Sequence, residues 1–148
     1  MLDDLDITIL KKLQVSGRTK RSELAEAIGL SLPSLSERLK KLEDHNVIEG
    51  YYAKLNRHIF GLDIMAFITV IMDSSKNYEK LIDHVKKTPE ILECHAILGE
   101  GSHMMKALVK DSKSLEQLLT KIQSWPGVTR TVTSFVLSTI KEGTYLNI

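Results

Sequence analysis

Residues 23–43 read ELAEAIGLSLPSLSERLKKLE. Apolar residues recur every three or four positions in both halves, which indicates two short amphipathic helices. Gly29 supplies the left-handed residue that ends the first helix, and Ser31 caps the second, with Pro33 in its first turn. Two short helices joined by a tight turn form a helix-turn-helix, whose second helix can enter a DNA major groove.

A further helix is predicted upstream, because apolar residues between Leu2 and Leu13 follow helical spacing and Ser16-Gly17 supplies a stop. The helix before Gly29 is expected to start near Ser22, which can cap it. In the helix after Ser31, the leucines at 32, 35, 39 and 42 are predicted to form the buried stripe. That stripe leaves serines and charged residues on the exposed surface: Ser34, Ser36, Glu37, Arg38, Lys40 and Lys41.

The charge of this segment points to nucleic acid. The whole chain has a formal net charge of only +1, whereas residues 11–41 hold eight basic and three acidic side chains. Phosphate contacts add salt-sensitive affinity that is blind to sequence, so a local patch in a neutral chain suits a protein that must release non-specific DNA. A solvated helix face is the plainer alternative. The predicted DNA-contacting residues are Lys20, Arg21, Ser22, Ser31, Ser34, Ser36, Glu37, Arg38, Lys40 and Lys41.

Composition excludes several other classes. The 148 residues are 43% hydrophobic and include one cysteine, Cys94, so an internal disulfide is impossible. No metal-ligand spacing is present, and no metal, cofactor or catalytic group is expected. Cys94-His95 resembles a nucleophile beside a base, but neighbours on a strand point to opposite faces. The N-terminus lacks a signal-peptide pattern and the apolar run 64–72 is too short to span a bilayer, so a cytoplasmic location is expected.

The second half predicts an α+β domain. Residues 47–55 are expected to form a short hairpin, a wing beside the helix-turn-helix, and 51–62 a linker. Downstream, apolar patterning and turn residues predict strand–helix–strand–strand–helix–strand, which is the ferredoxin-like βαββαβ sandwich. The predicted division is therefore 1–50 for a winged helix-turn-helix domain, 51–62 for the linker and 63–148 for the sandwich.

Two strands of the sandwich are apolar on both faces. The strand 64–72 does not alternate, and the last strand, predicted over 128–140, places Val128, Val132, Val136 and Ile140 on one face and Phe135 and Leu137 on the other. Two helices cover one face of a four-stranded sheet, so the second face needs another cover. A second copy packed there would give a two-fold dimer. The alternative cover is the chain's own linker and N-terminal domain.

Taken in order, these motifs resemble the Lrp/AsnC family of feast/famine transcriptional regulators, and the resemblance runs nearly end to end. It rests on Leu5-Asp6-x-x-Ile9-Leu10, Gly17-Arg18, Glu23-Leu24-Ala25, Gly29-Leu30-Ser31, 38–43, Val47-Ile48-x-Gly50-Tyr51, Gly61, 89–91, Gly99, 126–128 and Thr133. The resemblance implies a winged helix-turn-helix, a linker and a sandwich that dimerises through its sheet. It also implies further assembly, often to octamers, and an amino-acid effector held where dimers meet.

One loop departs from the family pattern. The family often carries Gly-x-x-Asp after the second strand, and here Gly99 is followed by Glu100, Gly101, Ser102, His103 and Met104. Ser102 takes the position of the carboxylate, which removes a natural partner for an α-amino group. Two glycines still expose backbone N–H groups that can hold a carboxylate. The candidate effector-binding residues are Gly99, Glu100, Gly101, Ser102, His103, Met104 and Thr133. The alternative is that Glu100 and His103 are ordinary loop residues, that Thr133 fills a strand position and that Met104 packs within a strand.

The sequence therefore predicts a sequence-specific DNA-binding transcriptional regulator that binds promoter operators as a homo-oligomer and responds to an amino-acid-like effector. One alternative is an architectural, nucleoid-associated DNA-binding protein without a dedicated effector. The other is an enzyme similar to the siroheme decarboxylases, which share this fold. No basic, histidine-containing pocket for a polycarboxylate is visible in the sequence, and this disfavours the enzyme.

Overall fold

A computed structural model describes residues 2–148, so residue 1 of the predicted first domain lies outside the described part. The chain forms two compact units, one extending to Lys54 and including Lys141–Ile148, the other spanning Leu55–Ile140. Residues 51–54 and the last eight residues thus group with the helices, whereas the sequence division assigned them to the linker and the sandwich. Every helix within residues 2–148 is too short or too polar to cross a membrane.

The first unit contains three helices, α1 (Asp4–Val15), α2 (Arg21–Ile28) and α3 (Leu32–Asp44). Its core consists of apolar side chains from all three: Ile9, Leu10, Leu24, Ala25, Leu35, Leu39 and Leu42. Gly29 adopts φ +70° and ends α2. The Ser31 hydroxyl accepts a hydrogen bond from the Ser34 N–H at 3.3 Å and caps α3. Both stop and start signals of the helix-turn-helix are confirmed.

Two details of this unit were predicted wrongly. Ser22 does not cap α2, because it lies inside the helix, which begins at Arg21; Lys20 is the N-cap residue, without a side-chain cap hydrogen bond. Leu32 is 47% exposed and does not belong to the buried stripe. It occupies the first position of α3, one turn before the first buried leucine of the stripe, Leu35.

The predicted hairpin over residues 47–55 is also wrong, since these residues form no strand. The N–H groups of Val47 and Ile48 instead bond to the Leu42 carbonyl at 2.8 and 3.1 Å, after Asn46 leaves α3 at φ +58°. The Tyr51 hydroxyl donates to Glu43 at 3.0 Å. The segment is therefore held along the end of α3, and an isolated two-stranded ribbon is marginal in water.

The C-terminal segment is attached to α1 through one side chain. The Gln14 amide accepts from the Leu146 N–H at 2.6 Å and donates to the Leu146 carbonyl at 3.0 Å. This reciprocal pair satisfies both backbone groups of one residue, as a neighbouring strand would. It explains why residues 141–148 group with the helical unit.

The second unit begins with a 3-10 turn, Arg57–Phe60, and continues as β1 (Ile64–Met72), α4 (Tyr78–Lys86), β2 (Ile91–Ala96), β3 (His103–Val109), α5 (Ser112–Gln123) and β4 (Val128–Phe135). The four strands form one antiparallel sheet in the order β2-β3-β1-β4. This is the predicted ferredoxin-like arrangement. Both helices pack on one face, over Ile68, Val70, Met105 and Ala107, with Trp125 closing the core.

The last strand is shorter than predicted. It ends at Phe135, and Ile140, which was expected on its apolar face, is 94% exposed beyond it. An irregularity between Ile71 and Met72 also turns Val128 to the helix side, where it packs against the core, whereas Val132 lies on the opposite face. A bulge inserts one extra residue into a strand. Because side chains alternate between the two faces, the residues before the bulge then point to the opposite face from the one that simple alternation predicts.

Candidate DNA-binding face and effector loop

The face of α3 that points away from the core carries most of the predicted DNA contacts. Ser34, Glu37, Lys40 and Lys41 are exposed there, and Lys20, Arg21 and Ser22 are exposed at the start of α2. Glu37 and Lys41 form an ion pair of 2.9 Å across one helical turn. The hydrogen bond from Lys41 holds the pKa of Glu37 below its usual range, so the charge of Lys41 is compensated within the helix.

Arg38 and Ser36 are not on that exposed face, which corrects their predicted placement; both are half-buried. The Arg38 Nη1 atom lies 2.8 Å from an Asp3 carboxylate oxygen and 2.7 Å from an Asp6 oxygen. Asp3 and Asp6 cap α1 reciprocally, each side chain accepting the other's backbone N–H. The guanidinium therefore joins α3 to the first turn of α1.

Electrostatics reinforce this contact. The backbone hydrogen bond from Asp6 and then the Arg38 guanidinium hold the pKa of Asp3 below its usual value, and the two carboxylates raise the pKa of Arg38. Bidentate or charge-assisted contacts to carboxylates fix geometry more firmly than neutral ones. Neither aspartate was selected by sequence reasoning, because acids in a first turn are explained by the helix dipole alone.

Within the second unit, the loop between β2 and β3 is built by its two glycines. Gly99 has φ +130° and Gly101 has φ +88°. A Cβ on Gly101 would lie 2.5 Å from the Thr69 methyl and 3.0 Å from the Val70 carbonyl oxygen. The Ser102 N–H donates to that same carbonyl at 2.9 Å. The loop is thus pressed directly onto β1, and only glycine fits at 101.

The candidate effector residues of this loop point in different directions. His103 is 5% exposed on the helix side, with Nδ1 2.8 Å from the Ser102 hydroxyl and its ring edge-on to Tyr78 at 4.9 Å. Burial lowers the pKa of His103. Glu100 points outward and receives a 3.0 Å hydrogen bond from Arg130 on β4.

The remaining two candidates lie on opposite faces of the sheet. Thr133 is paired with Ile68 on the helix side, and Met104 is paired with Thr69 on the open side. Ser102 and His103 are in contact, but within residues 2–148 no hydrogen bond joins Thr133 to the loop. Arg130 and Tyr78 were missed by sequence reasoning, because their proximity to the loop depends on strand pairing and no local motif marks it.

The adjacent Cys94 and His95 are separated by the sheet. Cys94 pairs with Met105 and packs against the core, whereas His95 pairs with Met104 on the open side. Burial raises the pKa of the Cys94 thiol, which opposes nucleophile formation. Within residues 2–148, no group of three or more histidine, cysteine or acidic side chains is placed to hold a metal ion.

The fold and the two candidate sites define a class: a regulator with a helix-turn-helix for DNA and a separate α+β ligand-binding domain. Residues 2–49 match the winged helix-turn-helix DNA-binding family, and residues 65–146 match the Lrp/AsnC ligand binding domain. The chain belongs to the Lrp/AsnC family of transcriptional regulators.

Individual relatives agree over almost the full length. The HTH-type transcriptional regulator FL11 of Pyrococcus horikoshii is 35% identical over 147 residues, covering 99% of this chain and 97% of the relative. The leucine-responsive regulatory protein of Escherichia coli is 33% identical over 148 residues, covering 98% and 90%. A Neisseria meningitidis transcriptional regulator, solved in complex with L-methionine, superposes with a TM-score of 0.92 at 36% identity, covering 99% and 97%. These relatives are regulators, which confirms the prediction of a DNA-binding regulator over that of an enzyme.

Proposed function

We propose that this regulator binds operator DNA through the exposed face of α3, with the start of α2 on the phosphate backbone. The observation that supports this is that the polar side chains of α3 are divided between an exposed face and a half-buried side next to α1. Ser34 and Lys40 face solvent, and they can approach base edges and phosphates, whereas Lys41, which is also exposed, is paired with Glu37. Lys20 and Arg21 at the N-terminal turn of α2 supply phosphate contacts.

Arg38 has a different role in this proposal: it positions α3 and does not read bases. Its guanidinium is held by Asp3 and Asp6 at 2.7–2.8 Å. Withdrawing it for a base would leave two carboxylates together without their cation. The recognition helix is therefore set at its angle by α1.

The test is DNA binding at several salt concentrations, using a labelled fragment from upstream of the protein's own gene and mixed genomic DNA as competitor. Lys40→Ala should weaken binding and flatten the dependence of log K on log salt by about 0.9 for each copy bound, the value for one lost phosphate contact. Arg38→Ala and Asp6→Asn should weaken binding without changing that slope. Lys86→Ala is the matched control, because Lys86 is an exposed lysine in α4 of the other unit.

Combining Arg38→Ala with Asp6→Asn separates positioning from contact. Because Arg38 and Asp6 belong to one ion pair, either substitution alone already breaks it, and the second adds no further loss. The double variant should therefore bind DNA no more weakly than the single variant that binds it less tightly. A flatter salt slope for Arg38→Ala would refute the positioning role. Equal affinity for fragment and competitor in the wild-type chain would refute operator recognition and favour an architectural role.

We further propose that two copies pair through the sheet face that no helix covers. This face presents Phe67, Met104 and Val132, which are 38%, 37% and 40% exposed in the single chain. Strand pairing places them side by side around Thr69. A dimer would present two α3 helices to successive major grooves, as two-fold operators require.

Light scattering tests the pairing. Phe67→Glu places a charge on this face and should convert the assembly to monomers, while Lys86→Glu, on α4 at the opposite side of the sheet, should leave the mass unchanged. The same measurement on the wild-type chain tests our proposal that dimers assemble further, to octamers. A Phe67→Glu chain with unchanged mass would exclude this interface.

The third part of the proposal concerns the effector. We propose that an amino acid binds beside the 99–104 loop at contacts between dimers. Support comes from the ligand-binding family of residues 65–146 and from the L-methionine complex of the Neisseria relative. L-methionine is therefore the first probe, and its effect on melting temperature and assembly mass should be tested together with the other amino acids. If none of them changes either quantity, the effector proposal fails for this chain.

A further inference from the structure

A separate cavity of about 290 Å³ lies in the second unit where β3 ends and α5 begins. Its walls include Leu62, Glu90, Lys110, Ser114 and Lys121. The 99–104 loop precedes the opposite end of β3. Six residue steps separate His103 from Val109, which places the two regions ~20 Å apart at ~3.3 Å per step. The cavity is therefore distinct from the effector loop discussed above.

The lining combines an apolar floor with a charged rim. Leu62, Val109 and Leu118 form the apolar wall, in which Val109 and Leu118 are 3% and 4% exposed, and Lys110 and Lys121 supply two ammonium groups against the one carboxylate of Glu90. Among residues 2–148, no hydrogen bond or ion pair occupies the side chains of these two lysines or of Glu90. Asp111, next to Lys110, directs its carboxylate to the Ser114 N–H at 2.8 Å, where it caps α5.

We propose that this cavity binds a small aliphatic monocarboxylate. Lys110 and Lys121 bind the carboxylate, because charge-assisted contacts are the strongest available there. The leucine wall takes the aliphatic body. The rim has a formal net charge of +1, which complements a monoanion, whereas an amino-acid zwitterion carries no net charge.

The position of the cavity gives such a ligand a direct contact with Leu62, the last residue of the predicted 51–62 linker. Leu62 lies between the 3-10 turn and β1, and it is held by two reciprocal bonds: its N–H donates to the Arg57 carbonyl at 3.1 Å, and Arg57 Nη1 donates to its carbonyl at 3.0 Å. A ligand against Leu62 therefore touches the segment that leads from the helix-turn-helix into the sheet. It can bias that segment without involving the 99–104 loop.

Isothermal titration of the full chain tests the proposal with three probes of one carbon skeleton. These are 4-methyl-2-oxopentanoate, L-leucine, which adds an ammonium group, and 4-methylpentan-1-ol, which lacks the carboxylate. The oxo acid should bind at least tenfold more tightly than either of the others. Lys110→Ala combined with Lys121→Ala should weaken its binding at least tenfold. Lys113→Ala, on the same helix but outside the cavity, should change it less than twofold.

A second variant guards against an indirect effect of the charge changes. Gln117 lines the cavity and is exposed, so Gln117→Trp should fill the space without disturbing the core and should abolish binding. Near-native melting temperatures show that each variant is folded. Absence of binding to the oxo acid up to 20 mM, equal binding of leucine or the alcohol, or retention by the double variant or by Gln117→Trp each overturns the proposal. None of these results depends on DNA binding.

Discussion

Replacing Gly101 by alanine tests how the effector loop is built. At φ +88° a side chain is strained, and the new Cβ would lie 2.5 Å from the Thr69 methyl and 3.0 Å from the Val70 carbonyl oxygen. Gly99→Ala is the matched control, because Gly99 also has positive φ, +130°, but a Cβ there would have no neighbour within 4 Å among residues 2–148. The two variants share backbone strain and differ in the collision.

The magnitudes follow from these two contributions. Backbone strain of this kind costs about 1–3 kcal/mol at either position. Overpacking against a neighbour costs a further 1–3 kcal/mol, roughly, and applies to Gly101→Ala alone. We therefore expect Gly101→Ala to lower the free energy of unfolding by about 1–3 kcal/mol more than Gly99→Ala, or roughly 1 M in urea midpoint for a typical m-value.

The single tryptophan makes the measurement specific to the right unit. Trp125 is 4% exposed in the core of the sandwich, so its fluorescence reports the unfolding of residues 55–140 and not that of the helical unit. Thr69→Ser removes the colliding methyl. In the Gly101→Ala background it should recover part of the excess loss, beyond its own effect measured alone.

Equal destabilisation by Gly101→Ala and Gly99→Ala would show that the loop does not press on β1. Failure of Thr69→Ser to recover any stability would lead to the same conclusion. Either result would also remove the structural reason for a fixed Ser102–His103 geometry in the proposed effector site.

Three further predictions follow from single contacts. Gln14→Ala removes both hydrogen bonds to Leu146, each worth about 0.5–1.5 kcal/mol, and should accelerate proteolytic removal of the last residues, whereas Gln14→Glu, which keeps the bond accepted from the Leu146 N–H, should do so less. Burial lowers the pKa of His103, so the unfolded chain binds the proton more readily than the folded chain. The contribution of neutral His103 to the free energy of unfolding should be fully present above pH 6.5 and should be lost as the pH falls below it. His103→Phe should therefore flatten the pH dependence of the urea midpoint in that range. Burial and then the Glu43 carboxylate raise the pKa of Tyr51 to about 12. The contribution of the protonated hydroxyl to stability should therefore be fully present below pH 10 and lost between pH 10 and 12. Thermal melts of Tyr51→Phe should not show this loss.

Several features could be predicted from the sequence because they depend on neighbours in the chain. The turn at Gly29 and the cap at Ser31 need only the conformational freedom of glycine and a serine oxygen within reach of the N–H three residues on. The βαββαβ order follows from alternating blocks of apolar residues, which specify elements without specifying partners. The helix-turn-helix and the sandwich could therefore be predicted from the local sequence alone.

Other features were decided only by tertiary structure, since they depend on residues far apart. Arg38 appears in sequence as one more cation on a basic helix, but folding brings it to Asp3 and Asp6, and a half-buried guanidinium requires such partners. Val128 changes face because of an irregularity in a strand that the local pattern does not record. The basic character of α3 was thus visible in the sequence, whereas the engagement of Arg38 by two carboxylates was decided by the packing of α1 against α3.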